Sequence, residues 1–153
     1  MKSLTLAAIS ILASVQLCSA DLFGGFIGTW SQQGATPRTK ITTVYKRFEK
    51  KGLIATTTVI IPGKSKGTGV MRYYDNGTVK GDLRRNRAVQ SKFSGTWSIS
   101  GRSLKTKMKV SAPLVPTFTG TIKTTLASNN NKINTVSISE DGARSSSVMI
   151  RKN

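Results

Sequence analysis

The chain has 153 residues, a formal net charge of +18, one cysteine and no histidine. That length favours a single domain, and the missing histidine removes the commonest general base and metal ligand. The 37% of hydrophobic residues fall in patterned stretches, which excludes a disordered polar chain.

Taken in chain order, the first element is a leader. Lys2 supplies a positive start, Leu4 to Val15 is an apolar run, and Cys18-Ser19-Ala20 places small residues ahead of Asp21. This is the layout of a secretory signal peptide over 1–20, too short to span a bilayer as a helix. A retained N-terminal helix is the alternative. A lipid anchor on Cys18 is disfavoured, because Leu17 stands where such processing wants a small residue. No other segment reaches the roughly 18 to 20 apolar residues of a transmembrane helix. The expectation is an exported protein, periplasmic or extracellular, whose mature part (21–153) is cysteine-free, keeps a net charge of +17 and relies on its own core.

Beyond the leader, valine, isoleucine, threonine and aromatic residues alternate with polar ones, and turn residues interrupt them about every ten positions. The pattern predicts ten strands: 26–31, 37–48, 53–61, 68–74, 78–84, 88–99, 103–111, 117–127, 132–140 and 143–151. Val44 to Lys51 is the best helix candidate, with Val44 and Phe48 four apart, but it has no cap and reads as strand and turn. Asp75-Asn76-Gly77 signals a hairpin, expected as a type I′ turn. Ser100-Gly101 and Asp141-Gly142 mark two more, and Pro62-Gly63 and Asn129-Asn130-Asn131 two further reversals. The clearest strand is the seventh, where Leu104, Thr106, Met108 and Val110 alternate with Lys105, Lys107 and Lys109, one face apolar and the other basic.

Short connections place sequence neighbours side by side and antiparallel. A meander with one apolar face must close into a barrel or fold into two packed sheets, and closure alone removes exposed edges. The expected fold is therefore an all-β, antiparallel up-and-down barrel of about eight to ten strands, forming one domain over 21–153. One local pattern recurs, in Phe26-Ile27-Gly28-Thr29-Trp30, Phe93-Ser94-Gly95-Thr96-Trp97 and Phe118-Thr119-Gly120-Thr121-Ile122. A glycine between large residues of one face lets a bend or a bulky neighbour approach the backbone. Gly28, Gly95, Gly120, Trp30 and Trp97 are accordingly read as structural.

The segment Phe26-x-Gly28-Thr29-Trp30 resembles the opening strand of the calycin superfamily, which comprises lipocalins, fatty-acid-binding proteins and avidins. The resemblance implies an antiparallel meander around a ligand cavity. It also implies an arginine near the end of the barrel packed across the tryptophan, for which Arg151 is the first choice and Arg144 the second. The sequence departs from each branch: it lacks the lipocalin T-D-Y-like motif and disulfides, two helices after the first strand, and the many tryptophans of avidins. The resemblance thus bears on fold, and no branch's function is carried over.

For catalysis the inventory is poor. The acidic residues are Asp21, Glu49, Asp75, Asp82, Glu140 and Asp141, of which three fall in or beside expected turns. Glu49 and Asp82 make a weak glycosidase pair, because one carboxyl must sit in an apolar pocket. Without histidine or a mature cysteine there is no Ser-His-Asp or Cys-His arrangement and no usual zinc set. Gly63-Lys64-Ser65 mimics the end of a phosphate loop, but Thr58 stands where that motif needs glycine. No enzyme activity, cofactor or metal is expected.

Two readings of function lead, ahead of a distant third, an enzyme of unfamiliar design. In the leading one the barrel binds a small apolar or amphipathic ligand, with Arg72, Tyr74, Trp30 and Trp97 as candidate contacts; the alternatives are that Arg72 points outward and that both tryptophans plug the barrel ends. In the other, a basic exterior contacts polyanions such as polysaccharide or lipid head groups. Its residues would be Lys46, Arg47, Lys50 and Lys51, then Arg84, Arg85 and Arg87, and the stripe Lys105, Lys107 and Lys109. Tyr73 and Tyr74 beside Arg72 are too small a cluster for a nucleic-acid platform. Asn76-Gly77-Thr78 would be a glycosylation sequon in a eukaryotic host.

Overall fold

The computed structural model describes residues 22–34, 39–48, 52–63 and 66–153. The expected leader over 1–20, together with Glu49, Lys50 and Lys51, lies outside the described residues.

Ten strands follow one another with no helix between them among the described residues: β1 (Gly28–Gln33), β2 (Lys40–Phe48), β3 (Gly52–Ile60), β4 (Gly67–Tyr73), β5 (Thr78–Arg85), β6 (Ala88–Ser100), β7 (Ser103–Ala112), β8 (Val115–Leu126), β9 (Lys132–Ser139) and β10 (Arg144–Arg151). Each pairs antiparallel with the next, and β10 pairs with β1 from Trp30↔Arg151 to Gln33↔Val148, so the sheet closes into an up-and-down barrel. The architecture fits a calycin-like barrel in general. On the wall, side chains alternate between interior and solvent: in β7, Leu104, Thr106 and Val110 are buried and Met108 is half-buried, whereas Lys105, Lys107 and Lys109 are exposed. This is the reverse of the alternation by which a barrel spans a bilayer, where apolar residues face out. No described helix is long and apolar enough to cross a membrane.

Local chemistry explains where boundaries moved. The first strand begins at Gly28 rather than Phe26, because the preceding residues form a turn in which the Phe26 amide donates to the Phe23 carbonyl at 2.9 Å. Gly28 then takes φ +136, and a Cβ there would meet the Arg151 guanidinium. The Asp75-Asn76-Gly77 hairpin is present, but its turn is not type I′. Only Gly77 has positive φ (79), the Gly77 amide bonds the Tyr74 carbonyl, and the Asn76 side chain accepts from the Thr78 amide at 3.0 Å. The glycine therefore forms a bulge after an ordinary turn. The two-residue hairpin with positive φ at both positions is instead Asn86 (49) and Arg87 (68), with no glycine at all.

The core occupies one end. Phe23 and Phe26, from the segment ahead of β1, pack beneath the barrel with Trp30, Leu53, Tyr73, Val79, Leu104, Leu126 and Ile133, all buried. The Trp30 indole N–H donates to the Phe26 carbonyl at 2.8 Å, and that of Trp97 to the Tyr74 carbonyl at 2.8 Å, so each large ring is packed with its polar edge satisfied. The opposite end, where β1–β2, β3–β4, β5–β6, β7–β8 and β9–β10 are joined, carries no such plug among the described residues.

Candidate functional site

Above the plug the interior is not filled. A cavity of about 330 Å³, open at the end away from the plug, is lined by residues from all ten strands, and its floor includes Tyr45 and Tyr73. The void is at the small end of ligand pockets and equals the liquid volume of about ten waters. Its wall is chemically divided. The arc from β4 to β7 contributes Gly69, Met71, Leu83, Phe93 and Met108, whose walls are carbon and sulfur. The arc running from β8 through β1 to β3 places Thr124, Thr135, Ser147, Gln32, Thr43 and Thr57 among Ile41, Ala55, Ile122 and Met149.

Within the polar arc, the Thr43 and Thr57 hydroxyls bond one another at 2.9 Å across β2 and β3. The Thr135 hydroxyl is buried and has no hydrogen-bond partner. A buried, unmatched hydroxyl beside open volume is a group that a ligand or a water can satisfy. At the floor, burial pushes the Tyr73 phenol up to about 12, a Thr106 hydrogen bond offsetting part of the effect, and burial pushes Tyr45 higher still, helped by Tyr73. Both phenols therefore stay neutral, and no ionised group stands among the residues lining the cavity. Three methionines, Met71, Met108 and Met149, give the wall adaptable shape.

None of the four candidate ligand contacts lines this cavity. Trp30 and Trp97 belong to the plug below the floor; the Trp97 ring meets Phe23 at 5.1 Å and Tyr73 at 6.3 Å. Arg72 stands on the outer face of β4, because Gly69, Met71 and Tyr73 hold the inner one, and Tyr74 follows the end of the strand. The Arg72 anchor is corrected accordingly: its charge stays at the surface, where hydration is not lost, and Tyr74 packs edge-on against Phe48 at 5.6 Å. Along β4 both faces carry apolar side chains, Val70 on one and Met71 and Tyr73 on the other, so the inward side cannot be chosen without the register.

The candidate structural residues lie where the barrel is tightest. Arg151 sits 4.4 Å over the Trp30 ring and donates to the carbonyls of Ile27, Gly25 and Asn130 at 2.6 to 2.7 Å. A Cβ on Gly95 would collide with the Lys107 carbonyl, and one on Gly120 would press the Ile138 carbonyl at 3.2 Å.

On the outer wall the register joins charges from separate strands. Lys46, Ile54, Arg72, Lys80, Ser94, Lys109 and Thr119 are successive cross-strand partners from β2 to β8. Arg72 lies directly opposite Lys80, and Lys105 opposite Lys123. Like charges so placed repel. Lys80 and Lys123 join the Lys105, Lys107 and Lys109 stripe; alternation within their own strands marks both as outward, but only the register shows what they face. Arg47, by contrast, lies near the plug with Gly24 and Arg151. Arg84, Arg85 and Arg87 are exposed at the open end, where the Arg84 guanidinium meets Asp82 at 2.7 Å. No group of three or more metal-ligating side chains comes together among the described residues.

No protein-family model matches the sequence, and no curated protein matches it either. Solved structures match in fold. One is the crystal structure of Rv2717c from M. tuberculosis, at TM-score 0.56 and 14% identity, covering 88% of this chain and 98% of that one. At that identity the likeness is one of fold.

Proposed function

We propose that the chain is an exported, non-enzymatic barrel, related to the calycins, that binds a small amphipathic molecule in its open-ended interior. The observation that carries this reading is the divided cavity: an arc of Met71, Leu83, Phe93 and Met108 faces an arc with the free Thr135 hydroxyl, above a floor of neutral phenols. An apolar skeleton with one or two hydroxyl or carbonyl groups matches such a wall, whereas an ion would find no opposite charge inside. Relation to the calycins rests on Gly28 and Trp30 at the start of β1, with Arg151 across the ring.

The test uses a cavity-filling change. Gly69 lines the void, and a Cβ there meets only ordinary contacts, 3.8 Å from the Leu83 side chain. Titration with the uncharged dye N-phenyl-1-naphthylamine should give saturable, blue-shifted fluorescence with the wild type and at least a tenfold weaker response with Gly69→Leu. Equal responses would place the dye outside the cavity and remove the reading.

A second reading, a basic envelope or extracellular protein that binds anionic polysaccharide, is favoured by the outer row. Arg72 against Lys80 and Lys105 against Lys123 are repulsive pairs that a polyanion relieves. Retention on heparin resin well above physiological salt, lost in the combined Lys105→Gln, Lys107→Gln and Lys109→Gln variant, supports it.

A further inference from the structure

Among the described residues, seven large hydrophobic side chains are exposed: Leu22, Ile60, Ile61, Val89, Leu114, Phe118 and Ile138. Leu22 lies beside the plug, and the other six ring the open end. The extreme case is Leu114, fully exposed at the tip of the β7–β8 turn and held at φ 63, a conformation bulky side chains rarely adopt. Nothing in the fold uses that side chain. Beside it, Val89, Ala112 and Pro113 line a shallow apolar depression of about 320 Å³.

The charges at this end are not evenly spread. Lys66, Arg84, Arg85, Arg87 and Lys92 stand exposed from the β3–β4 turn to β6, with Asp82 paired to Arg84. Lys40 and Arg144 also stand exposed at this end, but the acids Glu140 and Asp141 are confined to the β9–β10 hairpin, where they outnumber Arg144 and the Thr119 hydroxyl holds Glu140 at 2.6 Å. The sector from β3 to β8 therefore combines protruding apolar tips with a basic collar, and the acidic corner bounds it on one side.

We infer that this sector of the rim is a docking surface for an anionic lipid bilayer. Apolar tips enter the boundary between head groups and acyl chains, and arginine and lysine remain at the level of the phosphates. The acidic hairpin is repelled by the same phosphates, so the barrel docks tilted, with Leu114 and Val89 deepest. The inference rests on the rim and holds whether or not the cavity carries a ligand; it is also separate from the lysine row on the wall, which has no protruding apolar side chain of comparable exposure.

The test is co-sedimentation of the chain, purified from its own host, with vesicles of phosphatidylcholine alone or mixed with phosphatidylglycerol. Binding should require phosphatidylglycerol. It should fall at least tenfold in Leu114→Ser combined with Val89→Ser, two surface changes that leave the core intact, and also in Arg84→Gln combined with Arg87→Gln. The Lys105, Lys107 and Lys109 to Gln variant and Gly69→Leu should sediment like the wild type, which separates docking from wall adsorption and from cavity binding. No sedimentation on either vesicle, equal sedimentation on both, or a loss confined to the lysine variant would overturn the inference. Circular dichroism of each variant verifies the fold.

Discussion

Trp30 and Arg151 are cross-strand partners at the seam where β1 meets β10, and the guanidinium carbon lies 4.4 Å above the indole. The same guanidinium donates to three carbonyls, those of Gly25, Ile27 and Asn130. One side chain thus ties the last strand, the first strand, the plug and the β8–β9 turn together. Arg151→Ala leaves three carbonyls to find water and removes the stacked charge, so we expect a loss of about 2 to 4 kcal/mol in urea unfolding. Arg151→Lys should recover less than half, because an ammonium lacks the planar fork.

Glycines of the wall divide by what a side chain would strike. A Cβ on Gly95 meets the Lys107 backbone, whereas on Gly69 it meets space and the Leu83 side chain. Gly95→Ala should therefore cost about 3 kcal/mol or prevent folding, since the neighbouring strand must move. Gly69→Ala should change stability by less than about 1 kcal/mol. Thermal unfolding of the two variants, followed by circular dichroism, measures the contrast.

The strands were readable because lysine, serine and threonine mark one face so consistently in β6 and β7. What the sequence leaves open is the sum over neighbours. Along β4 and the residue after it, Val70 and Tyr74 are as apolar as Met71 and Tyr73, so Arg72 is assigned outward only once pairing with β3 and β5 is known. The divided cavity requires that Thr43 face Thr57 and that Thr135 and Ser147 share their arc, which are relations between residues far apart in the chain. The Asn86-Arg87 turn has the backbone of a glycine turn without the glycine, so no composition signal marks its type. Phe26 looks like a strand residue and instead packs in the plug, because a turn ahead of Gly28 redirects the chain.

Alkaline pH should weaken the fold. Tyr73 is raised from the ordinary 10.0 to about 12 by burial, and Tyr45 is raised further. Below pH 10 the phenols are protonated in both folded and unfolded chains, and stability is fully present. Above it the unfolded chain sheds protons that the folded one keeps, so stability falls by about 1.4 kcal/mol per pH unit for each tyrosine. For Tyr73 this loss runs until about pH 12. The diagnostic quantity is the difference between wild type and Tyr73→Phe, which cancels whatever the two chains share. That difference should change with pH above 10 and stay constant below it.

Salt should act in the opposite direction to its effect on ion-paired surfaces. Lys105 faces Lys123 and Arg72 faces Lys80, within a chain of net charge +18. Raising salt from about 0.01 M to about 0.15 M shortens the screening length from about 30 Å to about 8 Å, and the melting temperature should rise. Lys123→Glu replaces one repulsive pair by an attractive one and should stabilise by about 0.5 kcal/mol at low salt. Its advantage should shrink at high salt.

On the proposed reading, the space above Tyr45 and Tyr73 holds a small molecule. Native mass spectrometry of the chain purified from its own host, alongside Gly69→Leu prepared in the same way, tests it most directly. One small molecule should be bound to the wild type, released on denaturation and absent from the variant. A bare chain mass in both preparations, or the same adduct on both, would contradict it.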